Sequence, residues 1–212
     1  MESTILLAGH AGKGTSLLKQ DIENRFPGTA VYELLSQDSA PVSEKNARVL
    51  VLPLMLIPGK EYEKLRCSLD RFTVLPPLLS DSRDMMQLIA VLKEIYKGSE
   101  TLLLMGHGSS GPADQYFRQL GKRMQETSSM KLCTTMGALS YRTHLPCRCE
   151  NVRLAPLMLN AGYHVRKDMQ EHLLPMLQQA SCTVTLENRG LLDFVPVREL
   201  FLSKLSEKML KK

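Results

Sequence analysis

Leu103-Leu104-Met105-Gly106-His107 echoes Leu6-Leu7-Ala8-Gly9-His10, about 100 residues earlier in the chain. Each is a short apolar run closed by glycine and histidine, the form of a buried strand that ends at a turn. A second pair repeats in the same order. Pro53-Leu54-Met55-Leu56-Ile57-Pro58-Gly59-Lys60-Glu61 is matched by Pro156-Leu157-Met158-Leu159-Asn160-Ala161-Gly162-Tyr163-His164. One short match arises by chance. Two in one order, each at the end of a strand-like run, argue for an internal duplication. The chain therefore reads as two similar α/β lobes, residues 1–98 and 99–212, divided near Gly98-Ser99.

The rest of the pattern fits. Apolar runs predict strands at Ile5–Ala8, Ala30–Leu35, Val49–Ile57, Phe72–Leu75, Thr101–Met105, Met130–Thr134, Val152–Leu159 and Thr183–Leu186. Amphipathic stretches predict helices at Ser16–Phe26, Glu61–Leu69, Ser82–Tyr96, Ala113–Gln125, Val165–Gln179 and Val197–Leu210. Ser82 is a candidate N-cap, and Pro175 is expected to interrupt its helix. Strands alternating with helices imply a parallel sheet in each lobe, flanked by helices, with an active-site cleft expected between the lobes.

Composition narrows the class. The 212 residues are 43% hydrophobic and 23% charged, ordinary values that exclude disorder, collagen and coiled coil as global descriptions. No apolar run approaches the roughly 18–20 residues that span a bilayer, so no membrane role is expected. The N-terminus lacks a basic segment before its apolar stretch, which argues against a cleaved secretory signal. Five cysteines, an odd number, form no disulfide framework, and a reducing, cytoplasmic compartment is expected. The net charge of +5 is spread along the chain apart from Lys211-Lys212, Trp is absent and aromatics are 5%. That suits a soluble protein meeting an acidic small molecule better than a nucleic-acid binder. Homo-oligomerisation is left open.

Ligands in open α/β sheets bind beyond the carboxyl ends of the strands. His10, Glu61, His107 and His164 all lie just past such ends. If the lobes face each other, these imidazoles and this carboxylate converge. They suit a borderline divalent ion such as cobalt, nickel, iron or zinc. Two other patterns carry less. Gly9-His10-Ala11-Gly12-Lys13-Gly14-Thr15-Ser16 imitates a phosphate loop, but the glycine spacing is wrong and Gly14, not Ser or Thr, follows Lys13. His144, Cys147 and Cys149, with Cys133, have spacing tight for a structural zinc site. The twelve methionines read as pliable core, and His144 and His172 as surface residues.

These motifs resemble the class II tetrapyrrole chelatases, and most closely the anaerobic sirohydrochlorin cobaltochelatases of the CbiK type. The features that carry the resemblance are Gly59-Lys60-Glu61-Tyr62 after the Pro-Leu run, Pro77-Leu78-Leu79-Ser80 with Asp84, and Met105-Gly106-His107-Gly108 with Tyr116 downstream. They continue with Pro156 to His164 followed by Asp168-Met169, and with Gly190-Leu191-Leu192. The resemblance covers nearly the whole chain. It implies a bilobal chelatase fold and a lyase that inserts Co²⁺ into sirohydrochlorin or a related precorrin during anaerobic cobalamin biosynthesis. No cofactor would be permanently bound. The metal is a substrate, and Fe²⁺, Ni²⁺ or Zn²⁺ would suit the same donors. His107, His164 and Glu61 are the implied catalytic and metal-binding residues, with His10 as a further ligand of the kind that smaller CbiX-type chelatases use.

Metal insertion must also remove two pyrrole N–H protons, which a histidine or a carboxylate can accept. Asp168 is placed to orient His164 at i,i+4. Arg142, Arg148, Arg153, Arg166 and Lys167 are candidates for the substrate's carboxylates. One departure bears on mechanism. Where the family has a glutamate in Thr-Val-Glu-Gly, this chain has Thr134-Thr135-Met136-Gly137. A thioether neither adds negative charge nor accepts a proton. An alternative follows, a non-catalytic protein that binds a tetrapyrrole or metal on the same fold.

Overall fold

Ile5, Leu6, Leu7 and Ala8 are each at most 2% exposed, as a continuous apolar run requires of a strand covered on both faces. They form the body of β1 (Ser3–Ala8). The structure, a computed structural model, describes residues 3–34, 48–98, 101–143 and 151–210. After β1 come α1 (Lys13–Arg25), β2 (Ala30–Leu34), β3 (Arg48–Pro53), α2 (Lys60–Ser68) and β4 (Thr73–Val74). The sheet is parallel, in the order β2-β1-β3-β4. Leu6, Ala8, Val49 and Val51 form one core face, against which Leu65, Leu69 and Phe72 pack.

α3 (Ser82–Ile95) leads into a second series. It comprises β5 (Thr101–Gly108), α4 (Asp114–Thr127), β6 (Lys131–Met136), β7 (Asn151–Leu157), a π-helical segment (Val165–Leu173) continuing as α5 (Leu174–Gln179), and β8 (Thr183–Leu186). This sheet is also parallel, in the order β6-β5-β7-β8. Strand for strand it repeats the first, so the duplication read from two short motifs extends to the topology. Val165, Met169, Leu173 and Leu177 form a stripe at every fourth residue in the core that covers Leu103, Met105, Val152 and Leu154.

The compact units are not the halves of the chain. One is Met1–Asp84 with Leu192–Lys212, and the other is Met85–Leu191. This differs from a cut at 98/99, because the terminal helix α6 (Val195–Leu210) is tied back to the first unit by four basic residues. Arg198, 6% exposed, bonds Asp21 on α1 at 2.5 Å and the Leu192 carbonyl at 2.9 Å. Arg25 holds Glu199 through two bonds of 2.9 and 2.8 Å. Arg48 donates to the Lys208 carbonyl at 2.6 Å. Lys204 reaches Asp84 at 2.8 Å and the Pro77 carbonyl at 3.0 Å.

Three local expectations change. The apolar run beyond Pro53 is not strand, because the Met55 and Leu56 carbonyls accept from the Leu78 and Leu79 amides at 3.1 and 2.7 Å and draw the chain off the ladder. The side chain that caps α3 is Asp81, which accepts from the Asp84 amide at 2.9 Å, and not Ser82. Pro175 does not interrupt its helix. The Leu174 amide bonds the Met169 carbonyl in π register, and this wider turn just before Pro175 accommodates a residue that has no N–H to donate. Leu35, His144, Cys147, Arg148, Cys149 and Lys211-Lys212 lie outside the described residues. Among the described residues no helix is long and apolar enough to cross a membrane.

Candidate functional site

β5 stays in the ladder through Gly106 and Gly108, paired with Thr134 and Met136 of β6, and so carries His107 out at the carboxyl edge of the sheet. Gly108 makes this possible. Its φ is +77°, and a Cβ there would lie 2.0 Å from the Met136 carbonyl oxygen. Thr135 donates its hydroxyl to the His107 carbonyl at 2.7 Å and fixes the backbone under the ring. The His107 side chain contacts its neighbour's carbonyl, with Nδ1 3.0 Å from the Gly108 oxygen. A carbonyl only accepts, so Nδ1 is the donor and Nε2 is the nitrogen left to meet an ion.

His164 arrives from β7. After Leu157 the chain turns through a loop whose Met158 carbonyl accepts from the Leu191 amide at 2.8 Å. Gly190 lies so close to this loop that a Cβ would be 2.6 Å from the Leu159 carbonyl. The loop therefore delivers His164 in a fixed position, immediately before the π-helical segment. Its ring centroid is 4.6 Å from that of His107, with the planes at 82°. His164 Nδ1 is 2.7 Å from Asp168 Oδ2. Asp168 is 5% exposed, and its other oxygen accepts from Arg142 at 2.6 Å and from the Tyr141 hydroxyl at 3.2 Å.

This carboxylate is ionised. Burial works against its charge, but hydrogen bonds from His164, Tyr141 and Arg142 outweigh burial and hold the carboxyl below its usual range. Burial first, and then Asp168, push the Tyr141 hydroxyl up to about 12, so it remains a donor. An ionised Asp168 accepts from His164 Nδ1 and so turns Nε2 outward as the nitrogen free to meet an ion, the arrangement that metal-binding histidines share. Two imidazoles in contact, each with Nδ1 committed, offer two nitrogen lone pairs to one ion. Tyr163, 62% exposed, adds an aromatic ring 5.4 Å from that of His164.

Of the four residues placed past strand ends, the structure brings His107 and His164 together. The other two belong to the first unit. His10 follows β1 and is exposed. Glu61 lies in the first turn of α2, where its side chain is 73% exposed and pairs with Lys64 at 2.8 Å. Met136 ends β6 and is 38% exposed. Among the described residues no three His, Cys, Asp or Glu side chains gather as a metal site. Sequence reasoning missed Tyr141 and Thr135. Tyr141 belongs to no motif and Thr135 was read only as a neighbour of Met136; the roles of both depend on partners on other elements. Asp168 was legible from its spacing, and the structure adds the burial that makes its bond to His164 effective.

The family model for cobalt chelatase (CbiK) matches residues 19–210. The chain belongs to this family. Over 144 residues it is 30% identical to the sirohydrochlorin cobaltochelatase CbiKC of Nitratidesulfovibrio vulgaris, covering 59% of this chain and 51% of that protein. Over 139 residues it is 30% identical to the sirohydrochlorin cobaltochelatase of Salmonella typhimurium, covering 57% and 52%. The chain thus spans about half the length of the curated relatives it matches. Among solved structures, CbiX, described as the terminal enzyme for siroheme biosynthesis in denitrifying bacteria, has a TM-score of 0.65 at 16% identity, over 98% of this chain and 99% of that one. The sirohydrochlorin chelatase SirB of Bacillus subtilis subspecies spizizenii, solved in complex with cobalt, has a TM-score of 0.61 at 14% identity, over 98% and 95%. At these identities the likeness is one of fold: two parallel-sheet units flanked by helices, as in the chelatases.

Proposed function

We propose that this cobalt chelatase family member inserts Co²⁺ into sirohydrochlorin or a related precorrin, as a lyase of the anaerobic cobalamin route. The observation that carries the reading is the His107–His164 pair, with ring centroids 4.6 Å apart and both Nδ1 atoms held by acceptors. In this reading the two Nε2 atoms hold the incoming ion. Two neutral imidazoles, with other positions left to water and then to pyrrole nitrogens, bind a borderline ion firmly enough to present it and loosely enough to release it.

The reaction exchanges two pyrrole protons for one divalent ion. As the ion leaves for the macrocycle, each freed Nε2 lone pair becomes a proton acceptor at the place where protons are released. Asp168 stabilises the imidazolium that results on His164, because its charge is already fixed by Tyr141 and Arg142. The exposed Tyr163 ring offers an apolar face to a flat macrocycle. In the same proposal Glu61, in the first turn of α2, and His10, just past β1, are further donors, with Glu61 supplying the carboxylate that Met136 does not.

The test is Co²⁺-dependent conversion of sirohydrochlorin, followed by its absorbance spectrum. Conversion that depends on His107 and His164 is expected. A protein that binds sirohydrochlorin and Co²⁺ without accelerating their combination would instead be a carrier. Fe²⁺ and Ni²⁺, run in parallel, rank the metals that the donors accept.

A further inference from the structure

Resting on that chelatase reading, we propose that Arg142 binds a carboxylate of the tetrapyrrole and so sets the macrocycle's rim relative to the ion at His164. Four of the five basic residues picked from the sequence are among the described residues, and they differ in what they have left to offer. Lys167 is engaged by Glu171 at 2.7 Å. Arg153 is half-buried, and Arg166 is exposed. Arg142 is the one anchored on the carboxylate that holds His164, with Nη2 2.6 Å from Asp168 Oδ1 while Asp168 Oδ2 meets His164 Nδ1 at 2.7 Å.

The anchoring leaves a donor face open. The guanidinium carbon lies 5.0 Å from the centroid of the Tyr141 ring, a stacking contact that uses the flat face and none of the N–H groups. One N–H is used by Asp168. The side chain is 54% exposed, so its outer edge reaches solvent. A guanidinium has five donors in a rigid fork, and an unoccupied edge takes a carboxylate through two parallel bonds. The partner ring Tyr141 is itself 1% exposed and held in the core, so the fork is aimed before any ligand arrives. A preaimed donor costs little ordering entropy on binding. Arg142 therefore joins two recognitions through one carboxylate: the imidazole that holds the ion and the acidic rim of the ring that receives it.

The reading predicts discrimination by carboxylate number. Metal-free uroporphyrin, a polycarboxylate, and mesoporphyrin, a dicarboxylate, are titrated by fluorescence against the full chain. Co²⁺ binding is measured separately by calorimetry. Arg142→Gln is expected to weaken uroporphyrin about tenfold, the scale of one lost charge-assisted pair, and to leave mesoporphyrin within about twofold. Arg142→Lys should recover only part of the loss, because an ammonium lacks the fork. Tyr141→Phe, which removes Asp168's other partner and keeps the guanidinium, should weaken Co²⁺ binding and preserve the preference for uroporphyrin. Equal loss of both porphyrins in Arg142→Gln, or loss confined to Co²⁺, overturns the proposal and makes Arg142 a support for Asp168 alone. Failure of the wild-type chain to bind either porphyrin overturns the chelatase reading itself.

Discussion

In the first unit β1 leaves the ladder at Ala8, paired with Leu34 and Pro53, two residues before His10. In the second unit β5 is still paired at Gly108, one residue beyond His107. The same apolar-Gly-His segment therefore yields a histidine beyond the ladder in one copy and a histidine built into it in the other. The second motif diverges in the same way. Glu61 stands on an exposed helix turn beside Lys64, whereas His164 is braced by a carboxylate 5% exposed that three side chains share. Duplication kept the strand order, because a parallel sheet with helices on both faces tolerates little change in its buried runs. Chemistry diverged at the loops, where a change costs the core nothing.

The sharpest way to break this comparison is to remove the histidines of each copy. His107→Ala and His164→Ala should abolish chelation, a loss beyond the roughly 10–100-fold typical of changes to supporting groups. Their unfolding free energies should stay within about 1 kcal/mol of wild type. His10→Ala and Glu61→Gln should lose activity by less than either. An equal collapse in all four variants would show that the copies contribute alike.

Next in size is the brace. Asp168→Asn should lower Co²⁺ affinity about 10–100-fold, seen by calorimetry, because an amide can present its N–H to Nδ1 and favour the wrong tautomer. Lys64→Ala, the corresponding disruption beside Glu61, should change Co²⁺ binding by less than about twofold. Met136→Glu then asks whether the second unit regains a carboxylate donor beside His107. A rise of about tenfold in Co²⁺ affinity is expected from one added charged ligand. No change would place the anionic donor elsewhere, with Glu61 first in line.

Two glycines sharpen the comparison at the level of stability. Gly28 and Gly108 have nearly equal φ, +82° and +77°, but a Cβ at Gly28 meets nothing within 4 Å, whereas one at Gly108 would lie 2.0 Å from the Met136 carbonyl. Gly28→Ala should cost about 1–2 kcal/mol, the strain alone. Gly108→Ala should cost about 3 kcal/mol or more by urea unfolding and reduce Co²⁺ binding as well, since the β5–β6 contact holds His107.

The first unit also carries a pH dependence of its own. Burial opposes the charge of Asp84, but bonds from Lys204 and Ser80 overcome it and place its carboxyl below the unfolded value of 3.8. A depressed folded pKa means that the stabilisation is full above the unfolded value and disappears as pH falls through the folded one. Lys204→Ala should therefore destabilise at neutral pH, by about 3 kcal/mol for a mostly buried pair. It should also flatten the loss of stability on acidification below about pH 4. A variant as acid-sensitive as wild type would mean that other carboxylates dominate.

Much of this was legible in the residues. The duplicated Gly-His and Pro-Leu motifs located His107 and His164 at strand ends, and the four-residue step to Asp168 suggested its role. Element boundaries moved where partners distant in sequence intervened, as at Met55 and Leu56, whose carbonyls are claimed by Leu78 and Leu79. The wide turn before Pro175 was hidden for a different reason. Apolar spacing marks a helix face without revealing which carbonyl each amide selects.

What the sequence determined by itself is what local pattern controls: alternating strands and helices, parallel sheets, and histidines at carboxyl edges. Periodicity and turn residues act over a few positions, and a repeat shows itself by similarity alone. Tertiary structure decided what requires groups far apart to meet. It put α6 with the first unit through pairs such as Arg198–Asp21, separated by 177 residues. It also made Asp168 a buried carboxylate shared by Tyr141, Arg142 and His164. Hydrogen bonds and charge pairs act through space, and the chain acquires those distances only when both sheets have formed.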